Sequence, residues 1–135
     1  MRTNKSIFWL KLSFMAGAIT DALALVPMLC PPAAKIMWGF DDFTGSYYFA
    51  MGYGASLMLA WTILLIWAFR NPLPRRFVAL LTVIVVLGFI VAEAITAICG
   101  YVDMLQLAPT LVLQVILLAL FSYAYYGSRK YKEAK

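Results

Sequence analysis

Four long apolar runs make up most of this chain, and they constrain its fold more than any other feature. Each run reaches the roughly 20 residues that a helix needs to cross the hydrocarbon core of a bilayer. A backbone inside lipid must satisfy its own hydrogen bonds, so the runs predict helices. The sequence thus predicts an all-α integral membrane protein, a four-helix bundle of two helical hairpins in one membrane domain, with spans at residues 7–29, 46–69, 77–99 and 105–126.

Composition agrees with this fold class. Of 135 residues, 64% are hydrophobic and only 13% charged, more apolar surface than a soluble domain of this length can bury. The connection at 30–45, CPPAAKIMWGFDDFTG, carries prolines, aspartates and glycine and is the longest break between spans. Residues 33–40 within it are compatible with a short interfacial helix or an irregular lid, and we favour the helix. We expect Thr44 or Ser46 to cap the next span.

The basic residues indicate the orientation of the spans. Of the 11 lysines and arginines, all but Lys35 fall at the N-terminus, between the second and third spans, or in the C-terminal tail. Those three segments lie on one side of a four-span protein. Because cytoplasmic loops carry the excess of Lys and Arg, we expect both termini in the cytoplasm, and we expect the plasma membrane.

Several classes of function are disfavoured by composition. The chain has no histidine, which removes haem ligation by imidazole, zinc sites that contain histidine and His-based catalytic triads. Two cysteines are too few for a thiolate iron–sulfur cluster. The positive charges flank apolar runs and form no patch with interleaved aromatics. We therefore expect no cofactor, no metal and no nucleic-acid partner.

Two acids lie inside the predicted spans. Asp21 stands in AGAITDALALVP and Glu93 in FIVAEAITAIC. The first and third spans run in the same direction, and at 1.5 Å per residue the acids lie about 21 and 24 Å from the starts of their spans. They are therefore level, in the outer half of the bilayer. The span interiors offer no lysine or arginine at this depth to pair with them.

Other side chains at similar heights complete a predicted site. Small residues, Gly17 and Ala18, lie three and four positions before Asp21, and small residues repeat at four-residue intervals beside Glu93 and on the second span. This pattern predicts that these faces form the bundle interior. Two close carboxylates share a proton or hold a cation, which suits proton coupling or a cationic ligand. The predicted ligand- or proton-binding residues are Asp21, Glu93, Tyr53, Gln114, Trp61, Met51, Met58 and Thr110.

Cys30 and Cys99 end the first and third spans, both on the predicted outer side. A disulfide between them and two free thiols are equally compatible with the sequence, because sequence does not fix their separation.

Three hypotheses of function follow. The leading one is a protein that binds or transports a small apolar or cationic molecule, with the lipid bilayer and other copies of itself as partners. The second is a non-catalytic subunit that stabilises or assembles a larger membrane complex, in which the acids fasten helices together. An intramembrane enzyme that uses two carboxylates for acid–base work ranks third, because no nucleophile arrangement is evident.

Overall fold

The computed structural model describes residues 2–129, and this part of the chain is all helical, without strands. Five helices follow one another with short connections. They are α1 (Arg2–Leu29), α2 (Pro31–Trp38), α3 (Gly45–Arg70), α4 (Phe77–Ile98) and α5 (Met104–Ser128).

The four long helices α1, α3, α4 and α5 are each long and apolar enough to cross a membrane. They coincide closely with the four predicted spans; only α1 begins clearly earlier. The prediction of an all-helical chain with four such helices is confirmed. Lys130, Lys132 and Lys135, which entered the orientation argument, lie outside the described residues.

Local sequence explains where the helices begin and end. Thr44 caps α3, its hydroxyl oxygen accepting from the backbone N–H of Tyr47 at 3.4 Å, so the expected cap is confirmed for Thr44. Asp103 caps α5 in the same manner. Gly39 ends α2 in the left-handed region with φ of 69°, a conformation that glycine adopts without steric cost.

The helix α2 begins with prolines at its first two positions, where the missing N–H groups need no partner. The expected short helix in this connection is confirmed, although it begins and ends two residues earlier than expected. Its position relative to a membrane interface stays a prediction.

The central helix α1 packs along α3 on one side and α5 on the other, while α4 packs mainly along α5. Two ends of the molecule can be distinguished. The termini end contains the start of α1, the end of α5 and the connection at residues 71–76. The α2 end contains α2 and the connection at residues 99–103. Helices α3 and α4 approach each other only slightly, and there Trp61 Nε1 donates a hydrogen bond to Thr82 Oγ1 at 3.3 Å.

An apolar core fills the termini end and includes side chains from all four long helices. Gly17 leaves room for the core side chains, because a Cβ at this position would lie 2.8 Å from Cζ of Phe121 and 3.0 Å from Cδ1 of Leu65. The buried members are Leu10, Phe14, Ala18, Leu65, Ala68, Val78, Ala79, Leu117, Phe121 and Ala124.

The runs of small residues on α3 and α4 do not face this core. Gly52, Ser56 and Ala60 are exposed on α3, and Gly88 and Ala92 are exposed on α4. A Cβ added at Gly52 or at Gly88 would meet no atom within 4 Å. The prediction that these faces form the bundle interior is therefore wrong for α3 and α4, which pack through other faces. It is confirmed for Gly17 and Ala18 of α1, which are buried.

Cys30 and Cys99 are both free and exposed, so the disulfide that the sequence left open is not supported. The physical reason lies in the packing of the helices. Cys99 follows α4, which packs on α5, whereas Cys30 follows α1, and these two helices barely approach each other.

Candidate functional site

The pairing of α4 with α5 brings three of the predicted site residues together. Gln114 Nε2 donates to Glu93 Oε1 at 2.6 Å, and Thr110 Oγ1 lies 3.1 Å from Glu93 Oε2. Thr110 and Gln114 are four residues apart, so one face of α5 presents both side chains to the same carboxyl group. We call Glu93, Thr110 and Gln114 the Glu93 cluster.

The two contacts of the carboxyl group differ in strength. The Thr110 hydroxyl is also 2.8 Å from the backbone oxygen of Leu107, one turn earlier in its own helix. A hydroxyl has one proton to donate, so it alternates between the two acceptors or divides its bond between them. The amide of Gln114 is therefore the firmer partner, and the short distance is typical of a bond to a charged acceptor.

Gln114 also presents an unsatisfied atom. Its amide oxygen Oε1 is buried and accepts no hydrogen bond from any described residue. A buried acceptor without a donor costs about 1–3 kcal/mol, so such atoms are rare and each requires an explanation. The Glu93 cluster thus combines a carboxyl group that has two neutral donors with an amide oxygen that has none.

Asp21 lies on α1, outside this hydrogen-bonded group. Its side chain is partly buried and makes no hydrogen bond or ion pair with the described residues. It stands seven residues after Phe14 and four after Gly17, so it continues the face of α1 that enters the core. That the two acids share one site stays a prediction.

The remaining predicted residues lie on α3, which packs on α1 and not on α5. Tyr53 is 64% exposed, with its ring against that of Phe49 at 4.8 Å between centroids, so it does not join the Glu93 cluster. Trp61 is hydrogen-bonded to Thr82 and packs against the apolar core. Met51 and Met58 are partly buried on the same helix.

One residue that sequence reasoning did not select is Thr82. It is buried, its hydroxyl donates to the backbone oxygen of Val78 at 2.8 Å, and it accepts the indole N–H of Trp61. Its position between Val78 and Val86, at helical spacing on the buried face of α4, was the available signal. Thr82 joins α3 to α4 near the core and does not take part in the Glu93 cluster.

Within residues 2–129, no group of three or more histidine, cysteine, aspartate or glutamate side chains is placed to hold a metal ion. The chain matches no protein-family model, no curated protein and no solved structure.

Proposed function

We propose that this chain is an integral membrane protein that binds a small cationic molecule at the Glu93 cluster, as a transporter or membrane receptor. The observation that carries the proposal is the carboxyl group of Glu93, which has Gln114 and Thr110 as hydrogen-bond donors and, among residues 2–129, no cationic side chain as a partner. Two donors orient the carboxylate and lower its desolvation cost, but they leave its charge unbalanced.

The cost of this arrangement in a membrane supports a binding role. An ionised side chain costs about 2.5–3.5 kcal/mol at the centre of a spanning helix, and one inside a span is rarely present without a partner or a task. Glu93 lies within α4, in its outer half. The sequence has no lysine or arginine at 12–34, 36–69 or 77–128, which covers most of the four long helices. A cation from outside the chain supplies the missing charge.

The proposal includes an orientation. Both termini are cytoplasmic and the α2 end faces outward, because among residues 2–129 Lys35 is the one basic residue away from the termini end. The protein resides in the plasma membrane and acts as a homo-oligomer, since four short spans enclose little volume by themselves.

Orientation is measurable with the native thiols. Cys30 and Cys99 are exposed at the α2 end, so a membrane-impermeant maleimide added to intact cells should label both. A variant with Asn71→Cys in place of both native cysteines should be labelled only after the cells are opened. The reverse pattern would contradict the proposed orientation.

The binding role is tested with the purified protein in lipid nanodiscs. Tetraphenylphosphonium and hexylammonium serve as probes in isothermal titration, since they differ in size and in hydrogen-bond donors. We expect at least one of them to bind, and Glu93→Gln to weaken that binding at least about tenfold, the loss expected when an ion pair becomes a neutral contact.

Asp103→Asn is the matched control for this experiment. It removes one negative charge from the same α4–α5 pair, outside the Glu93 cluster, and asparagine caps a helix about as well as aspartate. Affinity should be unchanged in this variant. Binding of neither probe, or equal binding by the wild-type protein and Glu93→Gln, would contradict the proposed function.

A second function has an observation of its own in its favour. Both donors to Glu93 lie on α5, the next helix of the chain, so the acid also serves to fasten α4 to α5. This is the arrangement expected of a non-catalytic subunit that assembles a larger membrane complex. Under that function neither cation binds, Glu93→Leu lowers the melting temperature, and a stoichiometric partner co-purifies in mild detergent.

A further inference from the structure

The buried amide oxygen of Gln114 lacks a donor, although the nitrogen of the same amide makes the shortest bond in the Glu93 cluster. The amide is held in one orientation, because only its nitrogen can donate to a carboxylate. Its oxygen therefore points away from Glu93, towards another element of the fold. The donor that it needs must come from that element.

The contacts between α1 and α5 show which element this is. The two helices run antiparallel, with the ring of Trp9 beside that of Tyr123 at 5.1 Å between centroids and the ring of Phe14 beside that of Phe121 at 6.2 Å. Each step forward along α1 thus corresponds to a step backward along α5.

This register places Asp21 opposite Gln114. Asp21 is seven residues after Phe14, and Gln114 is seven residues before Phe121, so both lie about 10.5 Å from the same aromatic contact. Seven residues are nearly two helical turns, which keeps each side chain on the face that makes the contact.

The chemical states of the two groups are complementary. An ionised Asp21 facing an amide oxygen would leave two acceptors together without a donor. A protonated Asp21 carries one O–H, removes a charge from the outer half of a spanning helix and gives the amide oxygen its hydrogen bond. The other acid in this part of the molecule is Glu93 on α4. Of the tyrosines of α3, Tyr48 and Tyr53 are exposed, and the hydroxyl of the partly buried Tyr47 donates to the backbone oxygen of Pro27 at 3.5 Å.

We propose that Gln114 bridges the two acids, accepting a hydrogen bond at Oε1 from a protonated Asp21 while donating one from Nε2 to an ionised Glu93. The inference rests on the proposed function and deepens it by making Asp21, Gln114 and Glu93 one site. Gln114 is the positioning residue of this site. A cation that binds at Glu93 acts on the proton of Asp21 through this amide.

Infrared spectroscopy of the ligand-free protein in nanodiscs at neutral pH tests the bridge directly. A protonated carboxylic acid has a C=O stretching band distinct from those of carboxylates and amides. We expect one such band in the wild-type protein and its loss in Asp21→Asn. Glu93→Gln should remove a carboxylate signal and leave the carboxylic-acid band in place.

Two variants on α5 separate the bridge from general effects on the site. Gln114→Met removes the acceptor, so the Asp21 band should move to the higher frequency of a free carboxylic acid. Thr110→Val removes only a donor to Glu93 and should leave the Asp21 band where it is. A wild-type spectrum without the band, or a band unmoved in Gln114→Met, would overturn the proposal.

Thermal stability gives a second and independent measure. Asp21→Asn keeps an N–H donor for Gln114 Oε1 and should melt at the wild-type temperature, whereas Asp21→Leu keeps the volume without a donor and should melt lower. Equal melting temperatures for these two variants would also overturn the bridge. The experiments distinguish failure of the bridge from failure of the proposed function. The infrared spectra test the bridge without any ligand, and the titrations test cation binding whichever acid carries the proton.

Discussion

The two ends of this molecule are built on different principles. At the termini end, all four long helices contribute large apolar side chains to one core, and Leu10, Phe14, Leu65 and Phe121 are fully buried. At the α2 end the buried apolar residues are fewer, among them Ala34 and Leu107, and Tyr48, Phe49 and Tyr53 of α3 are exposed. The Glu93 cluster supplies polar contacts between α4 and α5 there. Close packing therefore fixes the arrangement of the helices at one end, and this leaves the other end free to carry polar groups that stability alone would not favour.

The largest expected effect comes from emptying the core at the termini end. Phe121→Ala removes a fully buried ring that contacts Phe14 and lies over Gly17. We expect a loss of about 3 kcal/mol in the free energy of unfolding, at the low end for buried phenylalanine because the separated helices stay in an apolar solvent. Titration with denaturing detergent in mixed micelles measures this loss.

Phe49→Ala is the control at the α2 end. Phe49 is 68% exposed and contacts Tyr53, so its removal leaves no internal cavity. The free energy of unfolding of this variant should fall by less than about 1 kcal/mol, the contribution of a single exposed aromatic pair. Equal losses for the two phenylalanines would contradict the division of the molecule into a packed end and an open end.

A smaller effect is expected when a methyl group is added at each end. Gly17→Ala places a Cβ 2.8 Å from Phe121 Cζ, and the overpacking outweighs the better helix propensity of alanine for a net loss of about 1 kcal/mol. Gly52→Ala meets no neighbour and should raise stability by up to about 1 kcal/mol. The two melting temperatures should move in opposite directions. A shift of the same sign in both variants would show that packing at Gly17 does not decide the outcome.

The sequence was sufficient to predict the four long helices and the proximity of Glu93 to Thr110 and Gln114. The lengths of the apolar runs determined the helices, and the match in height between the third and fourth spans placed Glu93 near Gln114 and Thr110. Both inferences rest on distance along a helix axis, which is a simple count of residues.

The sequence was insufficient to predict which face of each helix is buried. Apolar side chains surround every span, because lipid and protein core accept the same residue types, so no polar face marks the outside. Small residues at Gly52 and Ser56 therefore suggested an interior face that is exposed, and Tyr53 was placed with Glu93 although it lies on another helix and is exposed. The sequence also did not show which helices pack together. Because α4 packs on α5 and hardly on α1, Cys99 lies away from Cys30.

A third prediction concerns the contact that joins α3 to α4. Thr82→Val removes the acceptor of the Trp61 indole N–H and leaves that donor without its partner. We expect a loss of about 1 kcal/mol in the free energy of unfolding and a change in tryptophan fluorescence.

Thr96→Val is the matched control, since the Thr96 hydroxyl donates only to the backbone oxygen of Ala92 in its own helix. Its stability should stay within about 0.5 kcal/mol of the wild-type value. If both threonine variants lose the same stability, the Trp61 contact does not join the helices.

The smallest effect is expected from the ion pair of Lys35 with Asp41 at the α2 end, in the connection outside the spanning helices. Lys35 Nζ lies 2.6 Å from Asp41 Oδ1, and the hydrogen bond and charge of Asp41 raise the pKa of Lys35 above its ordinary value of 10.5. A raised pKa of a lysine means that its stabilising contribution is complete below pH 10.5 and disappears as the pH rises through the folded value. Both side chains are largely exposed, so water and salt screen the pair.

Asp41→Asn should therefore return the pKa of Lys35 towards 10.5, as measured by NMR of its side chain, and leave the melting temperature at neutral pH unchanged. A clear drop in melting temperature would show that the α2 end depends on this connection for its stability, against the comparison drawn between the two ends.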